Sequence, residues 1–172
     1  MADAHYAEWA GAQRPFRLRF GDVLDLEEAC GKVGVGALYL RMGRHEYFAK
    51  DVYHTILRGL IGGGMAPSEA RRLMDDRFDH VPMATSLNLA IEILVNLMAG
   101  IEPDETQAKG DPAEPHDTGG ILASFVKVGI PPESIRAMSY ADFVNMARAM
   151  GGKDVQPPSE DEFLDMIANL EG

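Results

Sequence analysis

The amino-acid sequence predicts a mainly α protein: a small helical N-terminal domain with a short strand or hairpin, an acidic linker, and a C-terminal tail of short helices. Three observations carry this expectation. Apolar residues recur at helical spacing through residues 51–98. One stretch near residue 16 alternates with the two-residue period of a strand. Residues 101–119 hold Pro103, Pro112 and Pro115, six acidic groups and one Lys, and offer almost nothing to bury. The domains are therefore drawn at 1–100, 101–119 (a flexible acidic linker) and 120–172 (a short-helix extension).

Taken in order, residues 1–14 read as a loose leader. The stretch RPFRLRF that follows places Phe16, Leu18 and Phe20 on one side and Arg17 and Arg19 on the other, which predicts a strand over 17–20. Val33 and Val35 are available to complete a hairpin with it. Asp25 and Glu28 have capping-box spacing, and Gly31 can supply a left-handed stop, so a helix is expected over 23–30.

The clearest helix spans 51–61. Val52, Ile56, Leu57, Leu60 and Ile61 form its stripe, Asp51 suits its first turn, and Gly62-Gly63-Gly64 ends it. Pro67 opens a helix over 67–76, and Pro82 precedes one over 83–98 whose stripe reads Ala84, Leu87, Ala90, Ile91, Leu94, Val95 and Met98. The expected core is Phe20, Leu26, Leu38, Ile56, Leu60, Leu73, Leu87, Ile91 and Leu94. In the tail, Ile121, Phe125 and Val128 suggest one helix. Ser139 with Asp142, and Ser159 with Glu162, have the spacing that starts two more.

Charge narrows the function. The formal net charge is −11. Residues 1–101 are near balance, with 11 basic and 13 acidic groups, so the acidity sits in the second half. An acidic chain is repelled by phosphate backbones and by anionic membrane surfaces, so neither nucleic acid nor membrane is an expected partner. The one cysteine, Cys30, excludes an internal disulfide and any Cys-based zinc site. The first residues lack a signal-peptide layout, and no apolar run approaches the roughly 20 residues that span a bilayer. A cytoplasmic protein of a bacterial host is the expectation.

No catalytic, cofactor or metal site assembles. Met65-Ala66-Pro67 follows Gly62-Gly63-Gly64 where a phosphate loop needs Lys and Ser or Thr, so the glycines read as a turn. Asp75, Asp76, Asp79 and His80 lack calcium-loop spacing and read as a solvated helix end. His54 has no zinc-helix partner and reads as an exposed polar side chain. Cys30 falls at a helix C-terminus, where the dipole disfavours a thiolate, and reads as a buried small residue. The ten methionines suit core filling, or a surface that grips varied apolar partners. The candidate partner-binding positions are Phe143, Met146, Met150, Phe163, Met166 and Ile167.

The stretch from residue 16 to residue 100 reads FRLRFGDVLDLEEACGKVGVGALYLRM, then DVYHTILRGLIGGG with a following EA, then LAIEILVNLMAG. It resembles the gene transfer agent family of tail proteins, known as phage tail assembly chaperones and in some cases as tail tube proteins. The family motif is carried by Asp51, Val52, Leu60, Ile61, Gly62, Gly63, Gly64, Glu69 and Ala70. The block from Leu26 to Leu38 is a second anchor. Tyr47-Phe48 stand where the family pattern has Trp. The resemblance implies a tail assembly chaperone that binds the tape measure protein, and in addition the tail tube protein, and keeps the tape measure soluble while the tube forms. A structural tube or connector subunit, or a helical adaptor unrelated to phage, are the alternatives.

Overall fold

The computed structural model describes residues 4–99 and 118–151. Strand β1 (His5–Trp9) and strand β2 (Ala12–Phe16) form an antiparallel hairpin. Its two-residue loop, Ala10 and Gly11, has φ of 52° and 77°. Positive φ at both positions matches the right-handed twist of the flanking strands and closes a tight hairpin. Trp9 and Phe16 turn inward and are buried. Trp9 Nε1 donates to Ser86 Oγ at 3.2 Å, and His5 meets Glu92 at 2.9 Å, so the hairpin is tied to a helix far along the chain.

Helix α1 (Phe20–Ala29) opens on Asp22, whose carboxylate accepts from the backbone N–H of Arg19. Helix α2 (Val35–Gly43) is started by Glu27, which accepts from the Val35 N–H at 2.8 Å. Helix α3 (Ala49–Gly62) repeats the device of α1: Asp51 accepts from the Phe48 N–H at 2.8 Å. In each case a carboxylate satisfies a donor that the helix start leaves free. Helix α4 (Pro67–Arg77) begins on its proline and runs into a single 3-10 turn (Phe78–His80). Helix α5 (Met83–Met98) is the longest among the described residues. α3 is the centre, packing against α1, α4, α5 and β2. Its buried Val52, Ile56 and Leu60 meet Phe16, Leu26, Leu38, Met74, Ile93 and Leu94 in one cluster.

Among the described residues three helices follow: α6 (Thr118–Lys127), α7 (Pro132–Ala137) and α8 (Tyr140–Gly151). Ser139 Oγ accepts from the Asp142 N–H, as the Ser-x-x-Asp spacing predicts. These helices build a second cluster of Phe20, Phe125, Ile135 and Phe143.

The mainly helical class, with one small hairpin and short C-terminal helices, is as the sequence predicts. Several local readings are corrected. Residues 5–14 are not a loose leader: they belong to the hairpin, whose Ala-Gly turn is a weaker signal than Asn-Gly. The strand does not lie over 17–20, nor do Val33 and Val35 pair with it. Phe16, Leu18 and Phe20 are all buried, so the alternation was real. The extended backbone there is held by α3, through Arg17 N–H to Gly59 O at 2.9 Å, and by an isolated bridge from Arg19 to Ser139.

α5 is also rotated from its expected face. It buries Ser86, Leu89, Ile93 and Leu97 together with Leu87, Ala90 and Leu94, and leaves Val95 half exposed. A helix that is apolar on most sides does not choose its own buried face. Contact with Trp9 through Ser86 helps to set it here. Leu73 and Ile91 are accordingly only partly buried at the cluster's edge. The linker 101–119 lies outside the described residues apart from Thr118 and Gly119, which begin α6. The Ser159 and Glu162 capping box lies outside them entirely.

Candidate partner-binding surface

The motif residues sort into a structural set. Val52, Leu60 and Ala70 are core, Ile61 is half-buried, and Glu69 is exposed in the first turn of α4. The glycines are required by a chain crossing. A Cβ on Gly62 would fall 2.0 Å from the Arg17 carbonyl oxygen and 2.7 Å from Asp22 Oδ2. One on Gly63 would fall 2.1 Å from the Pro15 carbonyl oxygen. Gly64 has φ of 110°, a conformation that favours glycine. The triplet therefore lets the end of β2 and the segment after it lie directly on the end of α3.

Asp51, the first motif residue, is fully buried and sits 2.8 Å from Arg41 Nη2. Cys30 shares this corner. Burial first, then the charge and hydrogen bond of Asp51, push its thiol up to about 12. Such a thiol stays protonated near neutral pH and is a poor nucleophile. No group of three or more His, Cys, Asp or Glu among the described residues is placed to hold a metal ion. No helix among them is long and apolar enough to cross a membrane.

One turn along α3, His54 is half-buried rather than exposed, and its Nδ1 has no hydrogen-bond partner among the described residues. Its pKa is lowered from 6.5 by burial first, then by Arg58 and Lys50, with Asp51 acting in the opposite sense. The unfolded chain therefore takes up this proton more readily than the folded one. Stability is unaffected well above pH 6.5 and falls as pH drops below it. Thermal melts at about pH 5 and about pH 7.5 check this: wild type should lose more stability between the two than His54→Gln.

On the outside of this corner the surface changes character. Phe48 is 60% exposed, with the Arg41 guanidinium 5.2 Å from its ring centroid and Lys50 Nζ at 5.9 Å. Leu40 and Arg44, near the same end of α2, are exposed. An aromatic ring flanked by cations suits contact with a partner. In the sequence Phe48 stands out only as a departure from the family pattern, and nothing there marks Leu40.

The candidate tail positions are placed differently. Phe143 is buried between Phe20 and Phe125, with centroid distances of 3.6 and 5.3 Å. Met146 is partly buried against the same cluster, and Met150 is exposed at 38%. Phe163, Met166 and Ile167 lie outside the described residues. The tail helices thus sit against α1, with Phe20 as the pivot.

Residues 3–100, more than half of the chain, match the family described as phage tail tube protein, GTA-gp10. The chain belongs to this family. The match begins just before the hairpin and ends just after α5, so it takes in Trp9, the glycine crossing, the Asp51 corner and the Phe48 surface, and stops before α6. The family's description names a tail tube protein and says nothing of a chaperone. No curated protein and no solved structure matches the chain.

Proposed function

We propose that the protein is a chaperone of tail assembly that binds the tape measure protein and keeps it soluble while the tube forms. The observation that supports this reading is the exposed Phe48 ring, with the Arg41 and Lys50 cations against it. Apolar side chains ringed by charge can grip a helix that carries an apolar stripe while keeping the complex in solution. The net charge of −11 adds repulsion between complexes. The role needs no catalytic step, cofactor or metal.

A second reading, a structural subunit of the tube, is favoured by the family's description. Against it, the only sheet among the described residues is one hairpin of five-residue strands, with Pro15 in β2. That gives little strand edge for subunits to join.

Co-expression separates the two. As a chaperone, the protein should raise the soluble yield of the tape measure protein, and Phe48→Glu should remove most of that gain without changing the melting temperature. It should also be absent from purified particles. Many copies per particle, with no effect on tape measure solubility, would reject the chaperone and favour the subunit.

A further inference from the structure

Helices α6–α8 are fastened to the family domain chiefly at one small face of α1. Phe20 stacks on Phe143 with planes 15° apart, and Phe125 and Ile135 complete the apolar contact. The Phe20 N–H donates to the Met138 carbonyl at 3.0 Å. Arg136 Nη2 meets Asp25 Oδ1 at 3.0 Å. A Cβ at Gly21 would lie only 3.0 Å from the Arg136 Cβ, so the bare backbone at residue 21 is what lets α7 come so close.

Two features of this face argue against a permanent seam. Phe20, Gly21, Leu24 and Asp25 all lie inside the family match, whereas Phe125, Ile135 and Phe143, which cover Phe20, and Arg136, which lies against Gly21, all come after residue 100. The family domain therefore carries an apolar face that it does not itself cover. Asp25 also divides its carboxylate: Oδ2 meets Arg58 of α3 at 2.8 Å while Oδ1 meets Arg136. If α7 leaves, Asp25 keeps a cation, and being 36% exposed it regains water. Release then strands no buried charge. The fully buried residues of the main cluster all precede residue 98, and of α6–α8 only Tyr140 packs partly against that cluster, so release opens it at its edge alone. A unit held by few buried contacts is the kind that opens locally, well below the free energy of global unfolding.

We propose that α6–α8 are a displaceable cover over a docking face on α1, and that a helix of the partner takes their place. The occupant's chemistry follows from what it displaces: an aromatic ring to stack on Phe20, and a cation beside it for Asp25. Its identity as the tape measure protein rests on the chaperone reading, but the existence of the cover does not.

The test uses the full chain carrying Gly21→Cys and Arg136→Cys. Their Cβ atoms would start 3.0 Å apart, so α7 must move outward by about 0.5 Å to reach the roughly 3.5–4.5 Å of a disulfide, and the reduced form of the same variant is the reference for the oxidised one. Hydrogen exchange at the Phe20 amide reads the opening directly. In wild type and in the reduced double variant, this amide should exchange at least about tenfold faster than core amides of α3 and α5. Oxidation should slow it to the core rate. Co-expressed tape measure protein should be captured at least about tenfold less by the oxidised form than by the reduced one, a ratio set by how far the lock removes the open state.

Phe20 exchange at the core rate in wild type would overturn the cover. So would equal capture by locked and reduced forms. Lock-sensitive exchange with no tape measure capture by any form would uphold the cover and overturn the partner. Should the double variant fail to fold, Phe143→Ala serves instead. It should speed Phe20 exchange while leaving α3 and α5 amides unchanged, and an unchanged Phe20 rate would overturn the proposal.

Discussion

Gly62→Ala is expected to destabilise the protein by about 3 kcal/mol or more, the upper range for forcing atoms into a filled site. Propensity alone predicts the opposite sign. Gly62 is the last residue of α3, and alanine is favoured over glycine in a helix by about 1 kcal/mol. The clash wins because its partner is backbone: the new Cβ would meet the Arg17 carbonyl oxygen at 2.0 Å, and a carbonyl cannot rotate away as a side-chain tip can. Relief requires lifting residues 15–17 off α3, which breaks the Arg17 to Gly59 hydrogen bond and loosens Phe16 and Leu18. Gly63→Ala should behave alike, with Pro15 as the obstacle. Gly64→Ala provides the contrast. Nothing stands within 4 Å of its Cβ, so only the positive φ costs, about 1–2 kcal/mol. Chemical denaturation of the three variants checks the ranking. Equal losses at 62 and 64 would show that backbone conformation, not the crossing, explains the triplet.

Truncation after Gly100 is expected to leave a cooperatively folded domain with a new sticky face. The main cluster is built from residues up to Leu97, with Tyr140 only partly packed on it. Phe20 changes from 2% exposed to open, because its neighbours Phe125, Ile135 and Phe143 are removed. Uncovering one such side chain forfeits about 1.5–3 kcal/mol, small beside the roughly 5–15 kcal/mol of a whole domain. The shortened protein should therefore keep its helical signal and a sharp thermal transition, bind an apolar dye, and lose that dye binding in Phe20→Ser. In the full chain, Phe20→Ala should act on the tail more than on the core, costing about 3–5 kcal/mol of the cover's seating. Limited proteolysis should cut first between residues 102 and 119, where proline, glycine and acidic groups concentrate. A broad, non-cooperative melt of the 1–100 fragment would mean that the chain folds only as one unit.

The family was legible because its motif is dense: an acid at the start of a helix, an apolar stripe and three glycines at its end. Why those glycines are there was not legible. Their obstacles, Arg17 and Pro15, lie more than forty residues earlier, and only the folded chain brings them together. The candidate surface divides the same way. Phe143 and Met146 lie on an apolar face that the sequence marks as needing a partner, but not whether that partner is another chain or α1 of the same one.

By itself the sequence determined the helical class, the bounds of α3, α4 and α5 to within a residue or two, and the Ser139 start of α8. These rest on periodicity, caps and stops, all local interactions within one or two turns. Only the tertiary structure decided which face of α5 is buried, that the first residues pair as a hairpin around Trp9, and that Phe20 belongs to the tail's cluster rather than the main one. Each of these depends on contacts between residues far apart in the chain, where several arrangements satisfy the same local pattern and packing selects one.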